Sequence, residues 1–230
     1  MARENYVHLV GKIVKIEAIN DISDIITLEV VRRNGKRDFP RVVIYESFKK
    51  CKDCSVNDFV FIKGIMASRG KRQVIHCDIC KETRVIEGFE TVVNAIDVVK
   101  LSEDLDFEDL KEISNQVFIL GVVCRKVKYR KLASGVSNAQ YQLAINRKLH
   151  VYEENHKKSD YVFVTSLSNQ ADEDYKRLDV GSQCFINGGI QNRNIVREIS
   201  CTNCSNVMKL SEQATEICTY NVEYLNNCKF

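Results

Sequence analysis

Asn5-Tyr-Val-His-Leu-Val-Gly11 decides the reading of this chain, because it returns 110 residues later as Asn115-Gln-Val-Phe-Ile-Leu-Gly121. From there the two halves run side by side. Val30-Val-Arg-Arg33 answers Ala144-Ile-Asn-Arg147 at an offset of 114, and Asp38-Phe39 answers Asp160-Tyr161 at 122. Val56, Phe61-Ile-Lys-Gly64 and Cys77-x-x-Cys80 then answer Val180, Phe185-Ile-Asn-Gly188 and Cys201-x-x-Cys204, all at 124. The offset changes only between apolar runs, where loops absorb extra residues at small entropic cost. Self-similarity on this scale predicts two copies of one folding unit.

Within the first copy, runs rich in Val, Ile, Phe and Tyr at 7–16, 25–31, 41–45, 59–66 and 92–99 predict five strands. Asn34-Gly35 is a hairpin turn signal. The stretch 46–52 reads as a short helix or turn. Five strands with a short connection after the third suit a closed barrel of the OB type. The expected class is therefore all-β, with two tandem five-stranded OB barrels: residues 1–101, an acidic linker 102–114, and residues 115–230.

Composition narrows the function classes. A chain of 230 residues with 44% hydrophobic and 28% charged residues is long enough for one large core or two domains, and excludes wholesale disorder. No apolar run is long enough to span a membrane, and the opening MARENYVHLVG lacks the apolar segment of a secretory signal. The expectation is a cytoplasmic protein, in whose reducing environment ten cysteines suggest metal before disulfides.

Charge is clustered although the net charge is only +3. Arg32, Arg33, Lys36, Arg37 and Arg41 occupy the arms and tip of the first predicted hairpin, with Asp38 as the sole acid among them. Arg125, Lys126, Lys128, Arg130 and Lys131 surround Tyr129 in the second half, Arg147 ends its predicted second strand, and Arg69, Lys71 and Arg72 mark a further predicted turn. Such groups attract phosphates, and Phe39, Tyr45, Tyr129, Tyr152 and Tyr161 are candidates to stack unpaired bases. Each ring has an alternative place in a core. Phe39 and Tyr161 hold equivalent repeat positions beside a basic hairpin, which favours the surface role for them. The linker, with six acidic residues and one basic, is either a solvated helix, with Ser102 as cap and Leu105, Leu110 and Ile113 as its packed stripe, or a competitor with nucleic acid for a basic groove.

Cys51-x-x-Cys54, a gap of 22 residues, and Cys77-x-x-Cys80 have the spacing of a four-thiolate zinc site, with a hairpin turn at 68–72 bringing the two knuckles together. Structural zinc is the expected cofactor, in a zinc-ribbon-like insertion before the last strand; iron–sulfur chemistry and unpaired thiols are the alternatives. In the second half residues 173–177 stand where the first knuckle belongs, so Cys201 and Cys204 either recruit Cys218 and Cys228 into a different cluster or stay unligated. Cys124 and Cys184 read as buried thiols. No nucleophile, phosphate loop or catalytic histidine spacing occurs, so the chain is not expected to be an enzyme.

These residues resemble the bacterial single-stranded DNA-binding protein family. Tyr141-Gln-Leu-Ala-Ile-Asn-Arg147, Ser159-Asp-Tyr-Val-Phe-Val164 and Leu178-Asp-Val-Gly-Ser-Gln-Cys-Phe-Ile-Asn-Gly188 are similar to its second, third and fourth strands. Val30–Arg33, Phe39–Tyr45 and Val56–Gly64 repeat the pattern in the first half. The resemblance implies base-stacking aromatics at Phe39, Tyr161 and Tyr45, with Leu167 replacing the last in the second half. Common bacterial members carry one barrel per chain and many end in an acidic tail, whereas this chain has two and ends Leu225-Asn-Asn-Cys-Lys-Phe230.

The expected role is sequence-nonspecific coating of single-stranded DNA during replication, recombination or transfer, including that of a mobile element, by a monomer or homodimer. RNA binding, and docking of a helicase or primase, are the rival readings. Charge reversal at Arg32, Arg33 and Arg37 separates the nucleic-acid readings from the docking one.

Overall fold

The computed structural model describes residues 4–20, 23–45, 54–101, 105–147 and 159–229. The first half contains β1 (Asn5–Asn20), β2 (Ser23–Val31), β3 (Arg37–Asp38), β4 (Arg41–Tyr45), β5 (Phe59–His76) and β6 (Thr83–Lys100). A one-turn helix, α1 (Phe107–Leu110), leads to β7 (Asn115–Lys131), β8 (Ser137–Asn146), β9 (Ser159–Leu167), α2 (Ser168–Arg177), β10 (Gln183–Ser200) and β11 (Val207–Tyr224).

Each half closes into a barrel. β1 pairs with β2 and β5, β2 with β4, β5 with β6, and β4 closes the ring with a parallel pairing to β6. In the second half β7 pairs with β8 and β10, β8 with β9, and β10 with β11, with the parallel closure between β9 and β11. Alternate residues fill the barrels: Val7, Leu9 and Ile13 of β1 and Val117, Ile119 and Val123 of β7 are buried in one continuous core. This is the expected pair of five-stranded barrels.

The barrels are fused by pairing β1 with β7 antiparallel, centred on Val7 opposite Val117. Those two residues are repeat equivalents, so a pseudo-twofold axis passes between them. Asn5 shows the same symmetry: its amide donates to the Met66 carbonyl and accepts from the Met66 N–H, both at 2.9 Å, while Asn115 does the same with Ile190 at 2.7 Å.

The sequence expectation fails where β5 and β6 continue. Residues 68–72, read as a turn, belong to an uninterrupted ladder that runs from Val60 opposite Lys100 to His76 opposite Thr83. β10 and β11 do likewise, from Cys184 opposite Tyr224 to Ser200 opposite Val207. Each ribbon has a register shift on entering Gly64 or Gly188, beyond which a dozen residues leave the barrel as an arm about 40 Å long. Glycine is required at that shift, since a Cβ on Gly188 would overlap the Cys218 carbonyl oxygen. Gly188→Ala is expected to cost about 1–3 kcal/mol by overpacking, read from the urea midpoint.

Candidate nucleic-acid interface and four-cysteine centre

The arms cross between halves, and a buried carboxylate receives each. Asp160 lies at the start of β9 in a fully buried pair with Arg147, whose Nε donates to Asp160 Oδ2 at 3.0 Å and whose Nη2 donates to Oδ1. Asp160 Oδ1 also accepts from the backbone N–H of Ser68, on the other half's arm, at 2.8 Å. The equivalent Asp38 pairs with Arg32 at 2.5 Å and accepts from the backbone N–H of Asn192 at 2.7 Å. Arg147 and Arg32, both expected to contact phosphates, are therefore structural: Arg147 is 2% exposed and holds the join between halves.

Most of the first basic hairpin is neutralised in the same manner. Arg33 pairs with Glu112 of the linker at 3.2 Å and lies over the Tyr220 ring, Arg37 pairs with Glu29 and lies over Phe107, and Arg41 pairs with Glu90 at 2.5 Å. The linker is not a long helix. It makes one turn that buries Leu110 against Val10, Val31 and Phe59, with Leu105 and Phe107 partly buried beside them and Ile113 exposed. Charge reversal at Arg32, Arg33 and Arg37 would break intramolecular pairs and so cannot serve as a clean test of DNA contact. Of that cluster Lys36 is exposed with no ion pair among the described residues.

The second hairpin differs. Arg125, Lys126, Lys128, Arg130 and Lys131 are all exposed on β7, and none has an ion-pair partner among the described residues. Tyr129 is occupied: its ring stacks on Tyr175 of α2 at 4.7 Å and its hydroxyl donates to Asp172 at 2.6 Å. Beside this hairpin a cleft of about 690 Å³ lies between the β9 face and the two arms. Tyr161 and Phe163, two apart on β9, both face out at 50% and 38% exposure and line it. Arg125, Gln142 and Phe163 stand opposite one another across β7, β8 and β9, so cation and ring share one face. Phe89, Lys71 and Arg197 complete the cleft from the arms; Lys71 and Arg197 both pair with Glu212 there, at 3.5 and 2.8 Å.

Phe163 and Phe89 were missed by sequence reasoning. The alternation Tyr161-Val162-Phe163 was the available signal for the first, since positions two apart share a face of a strand. Phe39 is half-buried, its backbone N–H donating to Asn192 Oδ1 at 2.7 Å. Tyr45 packs against Ile25, Val43, Ala67 and Val92. Arg69 is half-buried on β5, and Arg72 pairs with Glu87 across the same arm at 3.0 Å. Tyr152, Cys51, Ser102 and the expected helix at 46–52 lie outside the described residues.

The cysteine arrangement corrects the sequence pairing. Cys77 and Cys80 cap one arm, Cys201 and Cys204 cap the other, and the four Sγ atoms lie within 4.8 Å of one another, with Cys77–Cys204 and Cys80–Cys201 at 3.5 Å. Cys54 is disulfide-bonded and packs on the main core below β5. The unbroken strand puts Cys54 and Cys77 at opposite ends of a ladder about 60 Å long, which no tetrahedral site spans. The alternative second cluster does not form either: Cys218 sits opposite Gly189 at the base of its arm, and Cys228 Sγ donates to the Gln183 carbonyl at 3.7 Å.

The two tips have one conformation. Lys81 and Ser205, each following a second cysteine, are left-handed at φ 61° and 58°, and Cys77 and Cys201 donate their N–H groups to the Glu82 and Asn206 carbonyls at 2.9 and 2.7 Å. The backbone N–H groups of Cys80 and Ile79 point at the Cys77 sulfur and hold its thiol down at about 6, in the range where thiolate ligands form. Four thiols so placed can hold a metal ion. Cys184, fully buried, is pushed up to about 12 by desolvation and is an inert core thiol.

Comparison with known proteins agrees with the fold. No curated protein sequence matches the chain. Among solved structures, the wild-type single-stranded DNA binding protein from Thermus aquaticus is similar at TM-score 0.63 and 16% identity, over 98% of this chain and 95% of that one. A deletion mutant of the same protein matches with the same score and identity, over 100% and 98%. The single-strand binding protein family matches residues 114–225, which hold the unpaired basic hairpin and the Tyr161–Phe163 face. It is thus in its second barrel that this chain is similar to the single-strand binding protein family.

Proposed function

We propose that the chain binds single-stranded DNA with little sequence preference and coats it, keeping bound strands from re-annealing. The observation that carries this reading is the family-matched β9 face, where exposed Phe163 stands in register with Arg125, with exposed Tyr161 two residues away on the same face and four more unpaired cations beside them. The rings supply sequence-tolerant stacking and the cations neutralise phosphates. In this reading the working surface belongs to residues 115–230, while the first barrel, with its arginines paired internally, buttresses the cleft through its arm. It is a binding protein acting in the cytoplasm, and zinc is its structural cofactor. No helix among the described residues is long and apolar enough to cross a membrane.

Fluorescence anisotropy with labelled single-stranded DNA, matched RNA and duplex, across a salt series, tests the reading. Single-stranded DNA is expected to bind tightest, with log Kobs falling by about 0.7 per phosphate contact for each unit of log salt. Replacing Arg125, Lys126, Lys128 and Arg130 with glutamine should flatten that slope. Equal weak binding of all three ligands would transfer the role to a docking platform, and preference for RNA would transfer it to the other nucleic acid.

A further inference from the structure

The arms are long for what holds them. An isolated two-stranded ribbon is marginal in water, and each arm exposes residues along its outer part, from Gly70 and Arg193 onward. The inner faces meet through Lys71–Glu212 and, at the tips, through Ile75, Ile199 and Met208 around the cysteines. Three apolar side chains make a small core for two ribbons about 40 Å long. Thr202 and Glu82 hydrogen-bond at 2.9 Å across the tips, and Arg84 reaches the Ser200 carbonyl at 3.0 Å, so the approach is built and not accidental.

We infer that Cys77, Cys80, Cys201 and Cys204 share a single zinc ion that clamps the two halves of the chain together at the arm tips and closes an arch over the cleft. This deepens the zinc reading above and stands independently of what the cleft binds. Thiolates 2.3 Å from a tetrahedral zinc lie about 3.8 Å apart, which the 3.5 Å pairs approach without rearrangement of the arms. A disulfide needs sulfurs at about 2.0 Å, and no pair here is that close. The set is also too tight for a cluster of several irons. On binding, the thiols release their protons to solvent and Zn²⁺ takes their place, with no change of oxidation state; the Cys201 thiol then gives up its 3.1 Å hydrogen bond to Glu82. Asn206 Nδ2, donating to Cys77 Sγ at 3.7 Å, orients that ligand from outside.

The stoichiometry separates this arrangement from one site in each half. Metal analysis of the full chain, purified under reducing conditions in zinc-replete medium, should find one zinc per chain. Cys77→Ser and Cys204→Ser, one from each half, should each lose it on purification, because three thiolates no longer close the tetrahedral site, while Cys54→Ser keeps it. Chelation of the unsubstituted protein should speed trypsin cleavage after the exposed Lys81 without loss of barrel strand content by circular dichroism, which covers the case of a variant that fails to fold. Half the metal left in either tip variant, full metal in both, iron in place of zinc, or a Cys77–Cys204 disulfide persisting in reductant would each overturn the clamp. None of these readouts uses DNA, so a failed clamp leaves the DNA reading standing, and the reverse.

Discussion

Asp160→Ala should lower the stability of the folded chain by about 3–5 kcal/mol, because it removes the carboxylate that accepts two hydrogen bonds from a buried guanidinium. Arg147 is 2% exposed. The loss is compounded, since Asp160 also receives the backbone N–H and the hydroxyl of Ser68, at 2.8 and 3.1 Å, from the opposite half's arm. Urea unfolding read from the midpoint measures it. The double change Asp160→Leu with Arg147→Met should recover much of the stability of the barrel but not the seating of the arm, because an apolar pair needs no partner and offers Ser68 none. A midpoint for Asp160→Ala within error of the unsubstituted chain would mean that the pair is solvated.

Tyr161→Ala combined with Phe163→Ala should raise the Kd for single-stranded DNA by about tenfold for each ring removed, from stacking worth about 1–3 kcal/mol per base. Both rings already face solvent, so the fold should lose no more than about 0.5 kcal/mol. The salt slope should stay as it is, since no cation has been touched. The same pair of measurements on Phe39→Ala separates the halves: that ring is half-buried, and its loss should register in stability more than in affinity. Affinity unchanged by the β9 double variant would leave the cleft without its proposed ligand.

The repeat, the strand count and the barrel class were legible in the sequence because they rest on short-range signals: apolar alternation, Asn34-Gly35, and loops that absorb the changes of offset. The arms were not. Ser68-Arg-Gly-Lys-Arg72 has the composition of a turn, but Gly70 sits opposite Phe89 in mid-ladder, and the ladder on either side of it decides the conformation. The ligand set was misread for the same reason. Two knuckles near in sequence were paired, whereas a straight strand sends Cys77 to meet a cysteine more than a hundred residues away. Charge was legible only as a cluster. That Arg33, Arg37 and Arg41 are spent on Glu112, Glu29 and Glu90 depends on acids from the linker, β2 and β6, which no local window contains. Tyr161 was found from the repeat; Phe163 escaped because its equivalent, Arg41, is not aromatic.

Val7 opposite Val117 places two copies of one strand against each other as a symmetric dimer of single barrels would. Joined in one chain, that association no longer depends on protein concentration, and its unfolding should show one midpoint across a wide dilution range. A homodimer must also accept every substitution twice, once on each side of its axis. A tandem chain is released from that duplication. One half can lose an aromatic and spend its cations on internal pairs while the other keeps an open face, and an axis that began as symmetry becomes a division of labour.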